Sequence, residues 1–251
     1  MDSGFYAAVT GLISRTDALD VVADNLANTD TTGYKARHEF YQALAKASEG
    51  SVDPLNNAIN NYGILGGTTT DLAPGSIERT GNQLDLALEG SGFLTVQTPS
   101  GIRYTRNGSL HLGVNGELLT ATGDKVLATP PNPTADPVPI ILPEGPISVS
   151  ADGTISSEGT VVAQLNLVTF SKDTQLTPVG SMYFQAPKGT AMPAAEVSVR
   201  QGSLEASNYN PVEGTVDLIT VQRHAQLLER ALWIFDSDFA QAATQDLPRV
   251  E

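Results

Sequence analysis

Apolar residues recur every three or four positions at both ends of the chain and every second position between them. From Leu218, alternate steps of three and four reach Val221, Ala225, Leu228, Leu232, Phe235, Phe239 and Ala242, all apolar. A period near 3.5 sustained this long marks the seam of a long C-terminal helix. Asn210 can accept from the first-turn N–H groups, Pro211 presets φ where no donor is needed, and Glu213 stands at the capping-box position, so the helix start is marked. Pro248 bars continuation. At the other end, steps of four and three from Phe5 give Val9, Leu12, Thr16, Leu19, Ala23 and Leu26, with only Thr16 polar. This predicts a first helix over about 3–28, stopped by the turn-forming run Asn28 to Gly33.

From Leu84 the period drops to two and turn residues arrive every six to ten positions, the pattern of an antiparallel module. Strands are predicted at 84–88, 93–97, 102–105, 109–112, 117–120, 125–128, 147–150, 154–156, 182–185, 197–200 and 203–206, with one long strand over 160–170. Asn107-Gly108 and Asn115-Gly116 are read as tight type I′ hairpin turns. Residues 38–47 suit a short helix, and 53–80, rich in Gly, Pro and Thr, an extended connector. The expected fold class is α+β: long terminal helices pairing as a coiled-coil-like layer, with a central, mainly antiparallel β module. The domain division is 1–33 with 208–251 (helical), 34–80 (connector) and 81–207 (β module). Closing so long an excursion between paired ends is tolerable because loop entropy grows slowly with length.

Each helix also carries apolar residues off its seam: Tyr6, Ala8, Ile13, Val21 and Val22 on the first, Val216, Ile219, Leu227, Trp233 and Ile234 on the last. Burial along one seam falls short of the entropy of ordering such a segment, and helices apolar on more than one face are wrapped by several neighbours. The termini are therefore expected to be mobile in the monomer, with 80–206 as the resistant core.

Composition narrows the function. The 251 residues hold 14 Lys and Arg against 28 Asp and Glu, a net charge of −14, with the basic residues scattered; only Lys35 with Arg37 and Arg103 with Arg106 come close together. Nucleic acid and anionic membranes are poor partners for that surface. With no cysteine, disulfides, thiolate metal sites and cysteine nucleophiles are excluded. No basic n-region with a continuous apolar core opens the chain, so no cleaved signal peptide is expected, and no apolar run reaches a membrane span. His38, His111 and His224 lie in three different regions without a second ligand at metal spacing. Asp85 and Glu89 share a strand face and are read as solvated outer-face residues. Gly90-Ser91-Gly92 lacks the third glycine and following helix of a phosphate loop and is read as a tight turn. No catalytic, cofactor or metal site is expected.

Three segments resemble one family. Leu19-Asp20-Val21-Val22-Ala23-Asp24-Asn25-Leu26-Ala27-Asn28 followed by Thr31-Thr32-Gly33-Tyr34-Lys35 is similar to the signature of bacterial flagellar rod and hook proteins, with Asp24 where that family has the first of two asparagines. Leu84 to Leu88, Gly92-Phe93 and Tyr104 to Ser109 resemble the β region of its larger rod members, and Gly202 to Asn208, containing Ser207 and Asn208, resembles its closing motif. Within the family the likeness is to the proximal rod members, with a distal rod or hook-type protein as the second reading. The resemblance implies a structural subunit with no enzymatic activity and no cofactor. It would be exported uncleaved by the flagellar type III apparatus and would polymerise with itself and other rod subunits across the periplasm. Phe5, Val9, Leu12, Leu19, Leu26, Leu218, Val221, Leu228, Leu232, Phe235 and Phe239 would form the assembly interface. The competing class is a secreted β-fold carbohydrate-binding module or enzyme.

Overall fold

A computed structural model describes residues 2–42, 64–130, 136–171, 173–194 and 196–245. The chain is α+β, with a helix at each end and antiparallel strands between. It divides into two compact units, each a composite of chain segments: a helical unit of Met1–Ala27, Arg37–Thr69 and Pro211–Glu251, and a β unit of Asn28–Ala36 and Thr70–Asn210.

The helical unit holds α1 (Asp2–Ala27), the paired strands β1 (Arg37–Gln42) and β2 (Ile64–Thr70), and α2 (Pro211–Gln245). The two helices are in contact, and a Cβ on Gly11 would lie 3.5 Å from the Leu228 side chain. On α2 the least exposed positions follow the expected seam: Ala225 is buried and Leu218, Val221, Leu228 and Leu232 are half-buried. Phe235 is exposed, and the Phe239 side chain lies outside the described residues, as does that of Phe5.

On α1 the buried line runs through Ala8, Ser14, Ala18, Val22 and Asn25, about a third of a turn from the Phe5–Leu26 seam. Val9, Leu12, Leu19 and Leu26 are half-buried, while Thr16 and Ala23 are exposed. Small side chains let backbones approach closely, so burial here follows size as much as hydrophobicity. Residues 37–42 form β1 rather than the start of a helix, because β2 supplies ladder partners that a short isolated helix lacks. Positions 43–47 of that expected helix lie outside the described residues.

In the β unit the principal sheet is built around β5 (Phe93–Thr98). One edge of β5 pairs with β6 (Gly101–Thr105); the other is shared between β9 (Lys125–Ala128) and β14 (Leu167–Thr169). On the far side of β9 lie β8 (Leu118–Thr120), β7 (Leu110–Leu112) and β10 (Val138–Pro139). β16 (Tyr183–Gln185) and β15 (Thr177–Val179) extend the sheet beyond β6, and β17 (Met192–Pro193) caps β14. A second sheet has the order β11 (Ile147–Val149), β12 (Thr154–Ser157), β13 (Thr160–Gln164). Two ribbons pair β4 (Leu86–Glu89) with β18 (Ser198–Gln201) and β3 (Ile77–Arg79) with β19 (Ser203–Glu205). Leu94 and Val96 of β5 point into the main core with Leu86, Leu88, Leu118, Ile140 and Leu165. Phe93 points the other way, into a smaller cluster with Val168 and Phe184, and stacks edge-on with Phe170 and Phe184.

Four local expectations are corrected. The long strand at 160–170 breaks at Leu165 and Asn166, because β13 belongs to the second sheet and β14 to the first; Leu165 and Asn166 donate to Gly153 and Leu127 at the crossing. Asn115-Gly116 does close the β7–β8 hairpin, but with positive φ at Gly116 (74°) alone, so the turn is not type I′. Asn107-Gly108 closes no hairpin, since β7 pairs with β8 and not with β6. Gly108 is instead pressed against β4, where a Cβ would stand 1.7 Å from the Leu86 carbonyl oxygen. Asp85 is buried and accepts from the Asn82 amide, whereas Glu89 is exposed beside Arg200.

Candidate functional site

The chain passes between its two units four times, at 27/28, 36/37, 69/70 and 210/211. The short β-unit stretches next to those crossings, 32–36, 71–76 and 205–208, are tied to one another by a buried ionic knot. At its centre Glu205, the last residue of β19, is 1% exposed. One carboxylate oxygen accepts from Lys35 Nζ at 2.6 Å and from the Gly75 backbone N–H at 2.9 Å. The other accepts from Arg106 at 3.2 Å. Lys35 also donates to the Ala73 carbonyl at 2.7 Å, and Arg106 to the carbonyls of Leu88 and Gly90. The Arg106 guanidinium lies 5.2 Å over the Phe93 ring, and its Nε has no partner.

Two buried cations thus share one carboxylate. Burial lowers the Lys35 ammonium below its ordinary value of 10.5, outweighing the opposing pull of Glu205. Arg106 is lowered for the same reason.

Backbone bonds surround the ions. Gly33 N–H donates to the Glu205 carbonyl at 2.7 Å, and the Asn208 side chain accepts from Ala36 N–H at 2.7 Å while donating to the carbonyls of Asp71 and Ala73. Thr32 donates to Asn107 at 2.8 Å. Gly33 has φ +68°, and a Cβ there would meet the Arg106 carbonyl carbon at 2.4 Å, so a glycine is required on both counts.

Of the motif residues singled out from sequence, Thr32, Gly33, Tyr34 and Asn208 therefore come together in the knot; Tyr34 is buried and accepts from Asn208 N–H. Ser207 makes a local turn, its hydroxyl accepting from Tyr209 N–H. Asn25 acts in the helical unit, where its amide bonds both the N–H and the carbonyl of Arg37, a side chain standing in for a strand partner. Neighbouring Asp24 pairs with Arg37. Asn28 receives the hydrogen bonds that close the turn after α1, and Leu26 and Ala27 complete the helix's last turn.

Lys35, Arg106 and Glu205 stand inside the three segments that carry the resemblance, but the sequence assigns none of them a role. Glu205 carried a signal: in Ser203-Leu204-Glu205 it shares a strand face with buried Ser203. Nothing in the arrangement resembles a nucleophile with its base. A cleft of about 510 Å³ lies elsewhere in the β unit, lined by Ile102, Tyr104, Pro130, Met192 and Pro193 among others.

Residues 5–35 match the family described as flagella basal body rod protein, and residues 87–163 the flagellar hook protein FlgE/F/G D1 domain. The chain is 32% identical to the flagellar basal-body rod protein FlgF of Caulobacter vibrioides, over 89% of each chain. It is also 32% identical to FlgF of Salmonella typhimurium, over 96% of this chain and 97% of that one. The chain belongs to the flagellar basal-body rod proteins. A rod protein named FlgG, from Borreliella burgdorferi, is 30% identical over 94% of this chain and 96% of its own length. The role is that of a structural rod subunit, not an enzyme. The first matched region covers α1 from Phe5 onward and four members of the knot's first stretch, Thr32, Gly33, Tyr34 and Lys35, so the family signature coincides with the part of the β unit that receives the chain from α1.

Proposed function

We propose that this chain is a proximal-rod subunit that polymerises through its terminal helices into the axial shaft crossing the periplasm. The observation that carries this reading is the state of α2. Its seam from Leu218 to Leu232 is buried or half-buried, yet Trp233, Leu227 and Ile234 are 70%, 60% and 52% exposed. A monomeric protein rarely leaves so many large apolar side chains in solvent along one helix, whereas a subunit with further neighbours covers them. In this reading α1 and α2 pair as a coiled-coil-like layer, and the seam residues Phe5 to Leu26 and Leu218 to Phe239 belong to the assembly interface. The partners are other rod subunits and further copies of the chain, delivered uncleaved by the flagellar type III export apparatus. The two FlgF relatives favour the proximal position; the FlgG relative, matched over nearly its whole length, keeps a distal position as the second reading. Cryo-electron density of isolated basal bodies at side-chain resolution tests both. Density for this chain in the proximal rod supports the proposal, density in the distal rod replaces it with the second reading, and absence from the rod overturns it.

A further inference from the structure

The outer face of α2 is ordered as well as apolar. Steps of four and three from Val212 reach Val216, Ile219, Arg223, Leu227, Arg230 and Ile234, every one exposed. Five are apolar, and the only two charges are cationic and seven residues apart, about 10 Å along a helix. On α1 the same rhythm gives Ile13, Asp17, Asp20 and Asp24, also all exposed, with Asp17 and Asp24 seven apart. Asp24 is shared with Arg37, and its side chain remains 58% exposed.

The two stripes are complementary in charge and spacing. Ile13 stands four residues before Asp17, as Ile219 stands four before Arg223 and Ile234 four after Arg230. The α2 stripe is therefore symmetric in spacing, and either direction of approach sets isoleucine against Ile13 and both arginines against aspartates. Within one chain the inward faces of both helices are already used, by Ala8, Ala18 and Val22 on α1 and by Ala225 and its neighbours on α2. These stripes point elsewhere.

We infer that the outer face of α2 in one copy docks on the acidic outer face of α1 in a second copy of this chain. Two different surfaces meet, so the contact is heterologous and adds copies without closing a dimer. The apolar residues supply the area, and the Asp–Arg pairs fix the register and reject mispaired copies. This assignment rests on the rod-subunit reading and names the faces through which like copies join.

The absence of cysteine makes the test clean. Full-length variants I13C/I234C and I13C/I219C, one for each direction of approach, are expressed in place of the native chain, and purified basal bodies are oxidised. A ladder of disulfide-linked multimers of this chain from either variant, absent from the single-cysteine controls, supports the inference. Chain present in basal bodies with no cross-link, with only an intramolecular link, or with a link between unlike subunits overturns it. Chain absent from wild-type basal bodies overturns the rod reading itself. In parallel, R223D and R230D should each lower incorporation at least about tenfold, and adding D17R should restore one of the two, R223D or R230D according to the direction of approach, to within about twofold of wild type. Failure of that rescue while the variants retain wild-type circular dichroism also overturns the pairing.

Discussion

Glu205 is the anion shared by two buried cations, and that asymmetry decides what each substitution does. Removing Lys35 leaves Glu205 bonded to Arg106 and Gly75, whereas removing Glu205 strands both cations in the interior. Breaking a buried pair from that side costs about 3–5 kcal/mol. Glu205→Ala should therefore lower the unfolding free energy by that amount, and Lys35→Met by clearly less, as measured by urea denaturation; equal losses would refute the assignment of Glu205 as the centre. The pH dependence follows from the lowered Lys35 value. Between that value and 10.5 the unfolded chain holds more protons on this residue than the folded one, so folding gains stability as pH rises through the window. The penalty is complete below it. Wild type should accordingly gain on Lys35→Met as pH is raised from neutrality towards 10.5, and a constant difference between the two would show that burial does not perturb Lys35.

The helices behave differently as elements. On α2 the apolar stripe and the least exposed face coincide, because Leu218, Val221, Leu228 and Leu232 are both large and inward. On α1 the inward face is carried by Val22 and by the small residues Ala8, Gly11 and Ala18, which give little apolar area and whose value lies in close approach. A carboxylate at Leu228 or Leu232 would be desolvated without a partner, at a cost of several kcal/mol. Leu228→Asp and Leu232→Asp should each abolish motility and incorporation into basal bodies while the β unit still unfolds cooperatively; normal swarming by both variants would refute the seam assignment.

For the whole molecule, the composite nature of the β unit sets what can fold alone. A fragment of residues 80–206 keeps Glu205 and Arg106 but loses Lys35, Gly75 and Asn208, whereas 28–210 keeps the knot intact. Thermal unfolding should show 28–210 as cooperative and markedly more stable than 80–206; equal midpoints would mean that the knot adds nothing to the unit. Amide exchange on the full chain tests the helical unit separately: rapid exchange over 5–26 would fit termini that order on assembly, and strong protection there would show that α1 and α2 already pack stably in the monomer.

Local pattern was enough to reveal two terminal helices, most strand positions, the Asn28–Gly33 stop and the α2 seam, since each depends on periodicity or turn chemistry within a few residues. The motif residues that meet in the knot were marked by the resemblance to rod and hook proteins and not by local pattern. Tertiary structure alone decided which strands pair, why the segment at 160–170 splits between two sheets, and why Gly108 lies against a neighbouring strand instead of closing a hairpin. It also decided that Asp85 is buried and that Lys35, Arg106 and Glu205 form one ionic centre. Those three residues are 71 and 99 positions apart along the chain. Ionic attraction and desolvation depend on distance and burial in space, and no local rhythm of hydrophobic and polar positions encodes either.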